Sequence, residues 1–240
     1  MRKINWTTIR LLLMIGLVFF LYSFSSKRNE SRKLAKSTVV FVGENSLLIT
    51  PESVNKLLIE NKRELSSIRK DELDLNKIEK ALNNQPTIEQ SEVFVTIDGV
   101  LKAVVTQKTP IARVFNEDRS FYIDSKGIKI PLSANFTARV PLVSGNINTE
   151  NNQKLACLLS IIHNDSFLKK NIIAVELMPN NSLKMLNRNF DYIIDFGRLV
   201  HVERKFDNYK AFFQKAVLDS SLYKYKKIDL RFTEQVVCTK

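Results

Sequence analysis

Between Leu11 and Ser26 the chain carries no charge, and from Leu11 to Leu21 it is apolar almost without interruption. As a helix, Trp6 to Phe24 rises roughly 28 Å at about 1.5 Å per residue, close to the thickness of a bilayer's hydrocarbon core. Arg10 has a stem long enough to reach back to the headgroups, and Trp6 and Tyr22 suit the two interfaces. A cleaved signal peptide is the rival reading, since Ser23-Phe24-Ser25 has small residues at the cleavage spacing. Phe19, Phe20 and Phe24 make a poor cleavage region, so an uncleaved anchor is expected. The flanks do not orient it by the usual bias. Lys27, Arg28, Arg32, Lys33 and Lys36 downstream outweigh Arg2, Lys3 and Arg10 upstream.

The chain has 240 residues, 44% hydrophobic and 26% charged, which is ordinary for globular structure and allows one large or two small domains after the anchor. Its formal charge of +12 invites acidic partners without choosing among them. Cys157 and Cys238 exclude a disulfide framework and any zinc module built on paired cysteines. They read as two small buried residues, with a single bridge left open.

Residues 27–36 are polar and basic and read as a juxtamembrane tether. Thr38 to Val42 reads as a strand ended by Gly43. Thr50-Pro51-Glu52 starts a helix with Val54, Leu57 and Leu58 on one face. After a stretch of mixed charge, Asp74 caps a second helix with Leu75, Ile78, Ala81 and Leu82 inward, stopped by Pro86. A hairpin follows around Asp98-Gly99. A two-residue loop would set Lys102 among the inward residues, whereas a bulge or a longer loop would not. The order strand, helix, helix, strand, strand describes a small α+β unit.

A second unit is expected to open with a hairpin, Phe121 to Ile130, turning on Asp124-Ser125-Lys126-Gly127. Thr149 begins a helix with Leu155, Leu158, Leu159 and Ile162 on one face. Ile172–Met178, Ser182–Leu186 and Asp191–Phe196 read as a meander. Beyond Gly197 lies an amphipathic helix, with Val202, Phe206, Tyr209, Phe213 and Val217 inward and Lys205, Lys210 and Lys215 outward. Ile228 to Phe232 alternates as a strand, and Val236-Val237-Cys238 follows.

Little here points to catalysis. His163 and His201 have no partner at metal-ligand or triad spacing, and no glycine-rich phosphate loop occurs. Asp191 and Asp195 share a strand face and read as a solvated rim. Lys224, Lys226 and Lys227 interleave with Tyr223 and Tyr225, which suggests phosphate contact and stacking. Tyrosines sealing a helix–strand junction explain the same residues. Five Asn-x-Ser/Thr triplets, at Asn5, Asn29, Asn135, Asn164 and Asn180, permit glycosylation, as an asparagine-rich chain does by chance. No catalytic residue, cofactor or metal is expected.

Three segments carry a resemblance. Leu82 to Val114 contains Pro86-Thr87-Ile88-Glu89-Gln90-Ser91-Glu92-Val93 and ends in Lys108-Thr109-Pro110-Ile111-Ala112-Arg113-Val114. Tyr122 to Gly127 holds Asp-x-x-Gly. Gly197 through the last helix to Lys227-Ile228-Asp229-Leu230-Arg231-Phe232 closes the pattern. In this order after a membrane helix, they resemble the bacterial cell-division family FtsQ/DivIB. The resemblance implies an α+β fold in five parts. These are a cytoplasmic tail (1–10), a transmembrane core (11–26), a basic linker (27–36), a POTRA-like domain (37–115) and a larger, mostly antiparallel β domain with flanking helices (116–240).

It also implies a non-enzymatic, single-pass type II protein of the inner membrane, enriched at the division site with its C-terminal domain in the periplasm. Its implied partners are FtsB/FtsL-like division proteins and septal wall synthesis proteins, with no nucleic acid or small-molecule substrate. Asp229, Arg231 and Phe232 match the family's closing motif, and Val236 and Val237 join them by proximity as partner-binding residues. The strand ending at Phe232 is expected to be the open edge. A periplasmic assembly factor for envelope proteins and an envelope enzyme acting on glycan are the alternatives.

Overall fold

A computed structural model describes residues 6–30, 33–43, 48–59, 69, 73–116, 119–145, 147 and 149–240. The tail at 1–5, most of the mixed-charge stretch before Asp74, the polar joint at 117–118 and the Thr149 side chain lie outside the described residues.

Helix α1 (Trp6–Glu30) is longer than the expected core. Its Ile9–Arg28 stretch is long and apolar enough to cross a membrane, and none of that window is buried. The expected tether is only partly that. The helix continues through Lys27 and Arg28, and Leu34 is only 2% exposed within a hydrophobic core. A single leucine among charges has no periodicity to announce it.

Contacts divide the chain into two units, Ile49–Gln107 with the preceding chain to Gly43, and Lys108–Lys240 with Leu48. The first contains β1 (Lys36–Val42), α2 (Pro51–Leu58), α3 (Leu75–Asn83), β2 (Ile88–Val95) and β3 (Val100–Gln107). Its sheet runs β1-β3-β2, with β1 parallel and β2 antiparallel to the central strand. The Thr50 hydroxyl accepts from Ser53 N at 3.3 Å and the Asp74 carboxylate from Lys77 N at 3.0 Å, so both predicted caps form. Val54, Leu58, Ile78 and Leu82 pack on Leu101, Ala103 and Val105, while Ala81 is exposed rather than inward.

The hairpin takes the longer loop. Thr96 N donates to Val100 O at 2.9 Å, and Val95 pairs with Leu101, leaving Ile97-Asp98-Gly99 at the tip. Gly99 lies at φ +82°, the left-handed region that glycine enters without penalty. This register sends Leu101, Ala103 and Val105 inward and leaves Lys102 on the open face.

The second unit is a nine-stranded mixed sheet flanked by helices. Its elements are β4 (Ala112–Asn116), β5 (Arg119–Ile123), β6 (Lys129–Ile130), β7 (Leu142–Gly145), α4 (Thr149–Asn164), α5 (Ser166–Asn171) and β8 (Ile172–Leu177). There follow β9 (Leu183–Asn187), β10 (Ile193–Gly197), α6 (Val202–Leu218), β11 (Lys227–Asp229) and β12 (Val237–Thr239). The strand order is β12-β11-β10-β9-β8-β7-β4-β5-β6, and five of the eight pairings are antiparallel. Strand β4, expected to close the first domain, belongs to this sheet, where it pairs with β5 and β7. Pro110 offers no N–H with which to continue the β3 ladder.

The Asp124 turn forms as read, its carboxylate accepting from Lys126 N (2.9 Å) and Ile128 N (2.8 Å). Leu155, Leu158, Leu159 and Ile162 of α4 are buried with Phe206 and Tyr209 of α6 in the principal core. Two positions of α6 depart from expectation. Lys205 is 2% exposed, and Val217 is 47% exposed. An amphipathic pattern assigns faces by hydropathy and has no means of showing that a buried strand end supplies acceptors for an amine. The cysteines are both free. Cys157 is exposed rather than buried, and Cys238 is half-buried.

Candidate partner-binding edge

Strand β11 has neighbours on both sides. Ile228 pairs in parallel with Ile194 of β10 and antiparallel with Cys238 of β12. The strand ending at Phe232 is therefore not the open edge. It stops at Asp229, because the chain leaves the sheet after Leu230 and returns as β12, which ends the strand order. A strand's edge status depends on where the following residues return, and the alternation at Ile228–Phe232 carries no record of that. Phe232 lies in the connecting loop at 48% exposure, and Glu234 lies there too. Val237 on β12 is 40% exposed, whereas Val236 packs against the core.

Helix α6 holds that loop. Asn208 Nδ2 donates to Thr233 O at 2.9 Å, and Arg204 pairs with Glu234 at 2.7 Å. On the other side, Leu230 N donates to Asp195 O at 2.9 Å. Phe232 is thus an exposed aromatic on a segment tied at both ends.

Asp229 and Arg231 form a fork. Arg231 Nε reaches Asp229 Oδ1 at 2.9 Å, its terminal nitrogen reaches Oδ2 at 2.5 Å, and Arg231 N donates to Oδ1 at 3.0 Å. The expectation that both residues belong to one motif has this geometric basis. Arg231 already engages a carboxylate of its own chain, which fixes the direction of the main chain leading into Phe232.

Sequence reading missed the rest of the cluster. Lys227 Nζ lies 2.8 Å from Asp195 Oδ2, and Arg231 Nε lies 3.7 Å from the same oxygen. Asp195 is not on a solvated rim: its side chain is 12% exposed. Asp191 is exposed and precedes the strand, so the two do not form a pair. Beneath them Lys205 Nζ donates to Phe196 O and Arg198 O, both at 2.9 Å, and stands 4.8 Å from the Phe196 ring centroid. Burial pushes the Lys205 amine down, and the charges of Asp195 and Asp229 pull it back. A cavity of about 530 Å³ is lined in part by Lys184, Asp195, Arg198, Lys205 and Arg231. The one available signal was the aspartate between apolar neighbours at Ile193 to Phe196, since an acid buried in a strand requires a cation.

The other candidates stay apart from this cluster. His163 Nε2 lies 3.5 Å from Lys169 Nζ, and His201 precedes α6 at φ +49°. Among the described residues no group of His, Cys, Asp and Glu side chains is arranged to hold a metal ion. Tyr225 packs on Phe212 and Tyr223 stands edge-on to Phe190, so Tyr225 does seal the junction after α6, while Tyr223 remains 81% exposed.

An exposed helix long and apolar enough to cross a membrane stands ahead of two α+β units, the second with a C-terminal outer strand beside an exposed aromatic, which is the layout of a division-site membrane protein rather than of a site for catalysis. Residues 109–239, more than half of the chain, match the family model described as FtsQ/DivIB, C-terminal related, and the chain belongs to that family. Membership supports a role in cell division, within a family whose proteins are not enzymes. No curated protein matches the chain. Among solved structures it is similar to the major extracytoplasmic domain of the trans isomer of the cell-division protein DivIB from Geobacillus stearothermophilus. Identity is 13% and the TM-score 0.32, over 47% of this chain and 95% of that one, too distant to bear on the edge.

Proposed function

We propose that this chain is a single-pass division protein of the inner membrane, with its folded units in the periplasm and its place at the division site. It joins FtsB/FtsL-like proteins to septal wall synthesis through contacts alone. The first unit, POTRA-like in its strand–helix–helix–strand–strand order, offers sheet edges for recruitment. The observation that carries the reading is β12. A three-residue strand at the end of the order, beside a loop held by Asn208 and Arg204, leaves one side without a strand neighbour among the described residues. A partner strand laid there gains main-chain hydrogen bonds, and Phe232 and Val237 add apolar contact. Asp229 and Arg231 position that contact. The test is a fluorescent fusion to the full chain. A band at mid-cell is expected, and uniform staining of the envelope would reject the division-site role.

A further inference from the structure

The apolar stretch Ile9–Arg28 rises about 30 Å at about 1.5 Å per residue, the full depth of a hydrocarbon core, so the last turn of α1 falls at the headgroups. Lys27 there is exposed. From Lys27 to Lys36 the sequence holds Lys27, Arg28, Arg32, Lys33 and Lys36 against the single acid Glu30.

The chain is held again from Leu34 onward. Leu34 is in the core of the first unit, and Ala35 N donates to Gly99 O at 2.8 Å. A Cβ on Gly99 would stand 2.9 Å from Lys33 O. The β2–β3 turn is therefore packed directly against Lys33 and Ala35. Lys33 lies three residue steps beyond Glu30, the end of α1, a reach of at most about 11 Å even when extended. With α1 as the anchor, this covalent limit keeps Lys33, and the turn packed on it, close to the headgroup layer, since Lys33 then lies at most about 14 Å from the end of the apolar stretch. Its tip carries Ile97, a branched apolar side chain 80% exposed, with Asp98 as the only acid of the turn. Lys33 and Lys36, both exposed, flank the same contact.

We propose that the β2–β3 turn is a membrane-docking edge, in which Ile97 enters the interfacial layer while Lys27, Lys33 and Lys36 bind the phosphates of anionic lipid headgroups. The inference rests on the anchored reading of α1. An apolar tip flanked by cations matches the chemistry of an anionic bilayer surface, and each lysine shifts the docked-to-undocked ratio by about five-fold. Docking holds the first unit against the bilayer and restricts the directions its sheet edges can face.

The experiment uses the full chain with Trp6→Phe, reconstituted in nanodiscs of phosphatidylcholine with or without phosphatidylglycerol. Tryptophan is placed at the exposed tip (Ile97→Trp) or within the span (Phe20→Trp), and quenching is recorded with lipids brominated near the headgroup end of the acyl chains for position 97 and deep in the chains for position 20. Quenching at both positions is expected, with the signal at 97 falling when phosphatidylglycerol is omitted or when Lys27, Lys33 and Lys36 become glutamine. Quenching at 20 but not at 97 would overturn the docking edge and leave the anchor standing. Quenching at neither would overturn the anchor and the edge with it. Quenching at 97 that ignores both lipid charge and the lysines would overturn the assignment to anionic headgroups.

Discussion

Arg231 crosses the chain where Gly197 has no side chain: a Cβ on Gly197 would stand 2.7 Å from Arg231 Cγ. Gly197 also lies at φ +71°. The glycine that ends β10 thus serves the loop after β11, letting the arginine stem lie flat while its guanidinium grips Asp229. Gly197→Ala is expected to cost about 2 kcal/mol or more, from the left-handed backbone and from displacing a stem held by its own fork. Gly197→Asn tolerates the backbone but not the contact. Thermal melts of the full chain in detergent separate the two causes, because a recovery with asparagine would show that the Arg231 contact contributes nothing.

Lys205 is expected to be the least replaceable charge of the cluster. In Lys205→Met the carbonyls of Phe196 and Arg198 lose their donor, and Asp195 and Asp229 lose a compensating charge. A loss of about 2–4 kcal/mol follows from the unsatisfied acceptors and the unbalanced carboxylates. A melting temperature equal to the parent's would mean that the buried amine is dispensable.

The edge is tested by binding set beside stability. Phe232→Ala removes a half-exposed ring and is expected to change stability by less than about 1 kcal/mol, while weakening partner capture by about 2 kcal/mol or more. Proline belongs in β12 rather than at Glu234, which sits in the loop. Successive N–H groups of a strand point to opposite sides. Of Val237→Pro and Cys238→Pro, one breaks the ladder with β11 and the other removes a donor from the open side. Pull-down with FtsB/FtsL-like partners should show one proline that abolishes capture without lowering the melt. Capture retained by every folded variant would place the interface elsewhere.

Acid should loosen the second unit from this corner. Burial raises the Asp229 carboxyl, but the Arg231 fork, the Arg231 N–H and the charges of Arg231 and Lys227 outweigh it, leaving the group below its ordinary 3.8. Burial likewise opposes Asp165, which Lys210 at 2.6 Å and the N–H groups of Phe167 and Leu168 hold down. A carboxyl whose folded value is lowered adds stability above its unfolded value and loses it as pH falls through the folded one. Melting temperatures should therefore hold from neutrality to about pH 5 and fall below about pH 4. Asp229→Asn should flatten part of that fall, and an unchanged acid limb would exclude the Asp229 contribution.

What was legible in the sequence was local. The caps at Thr50 and Asp74 and the Asp124 turn are satisfied within a few residues of themselves. The inward face of α4 repeats at helical spacing, and Leu11–Leu21 admits no other element of comparable length. The pairing of Asp229 with Arg231 belongs here too, since the two are neighbours on one side of a two-residue step. The resemblance to FtsQ/DivIB rested on such local segments in order, and the family match bears it out.

What only the tertiary structure decided were relations between residues far apart in the chain. Lys205 went inward because the end of β10 presents two carbonyls there, and hydropathy alone sends a lysine to water. Lys102 faced outward because the hairpin took three residues at its tip, and one residue more or less reverses a strand. Leu34 was buried by a sheet that forms around it. The open edge passed from Ile228–Phe232 to Val237–Thr239 because the last residues fold back. Periodicity tells a strand which side chains share a face, but its hydrogen-bonding neighbours come from elsewhere in the chain, and only the closed fold supplies them.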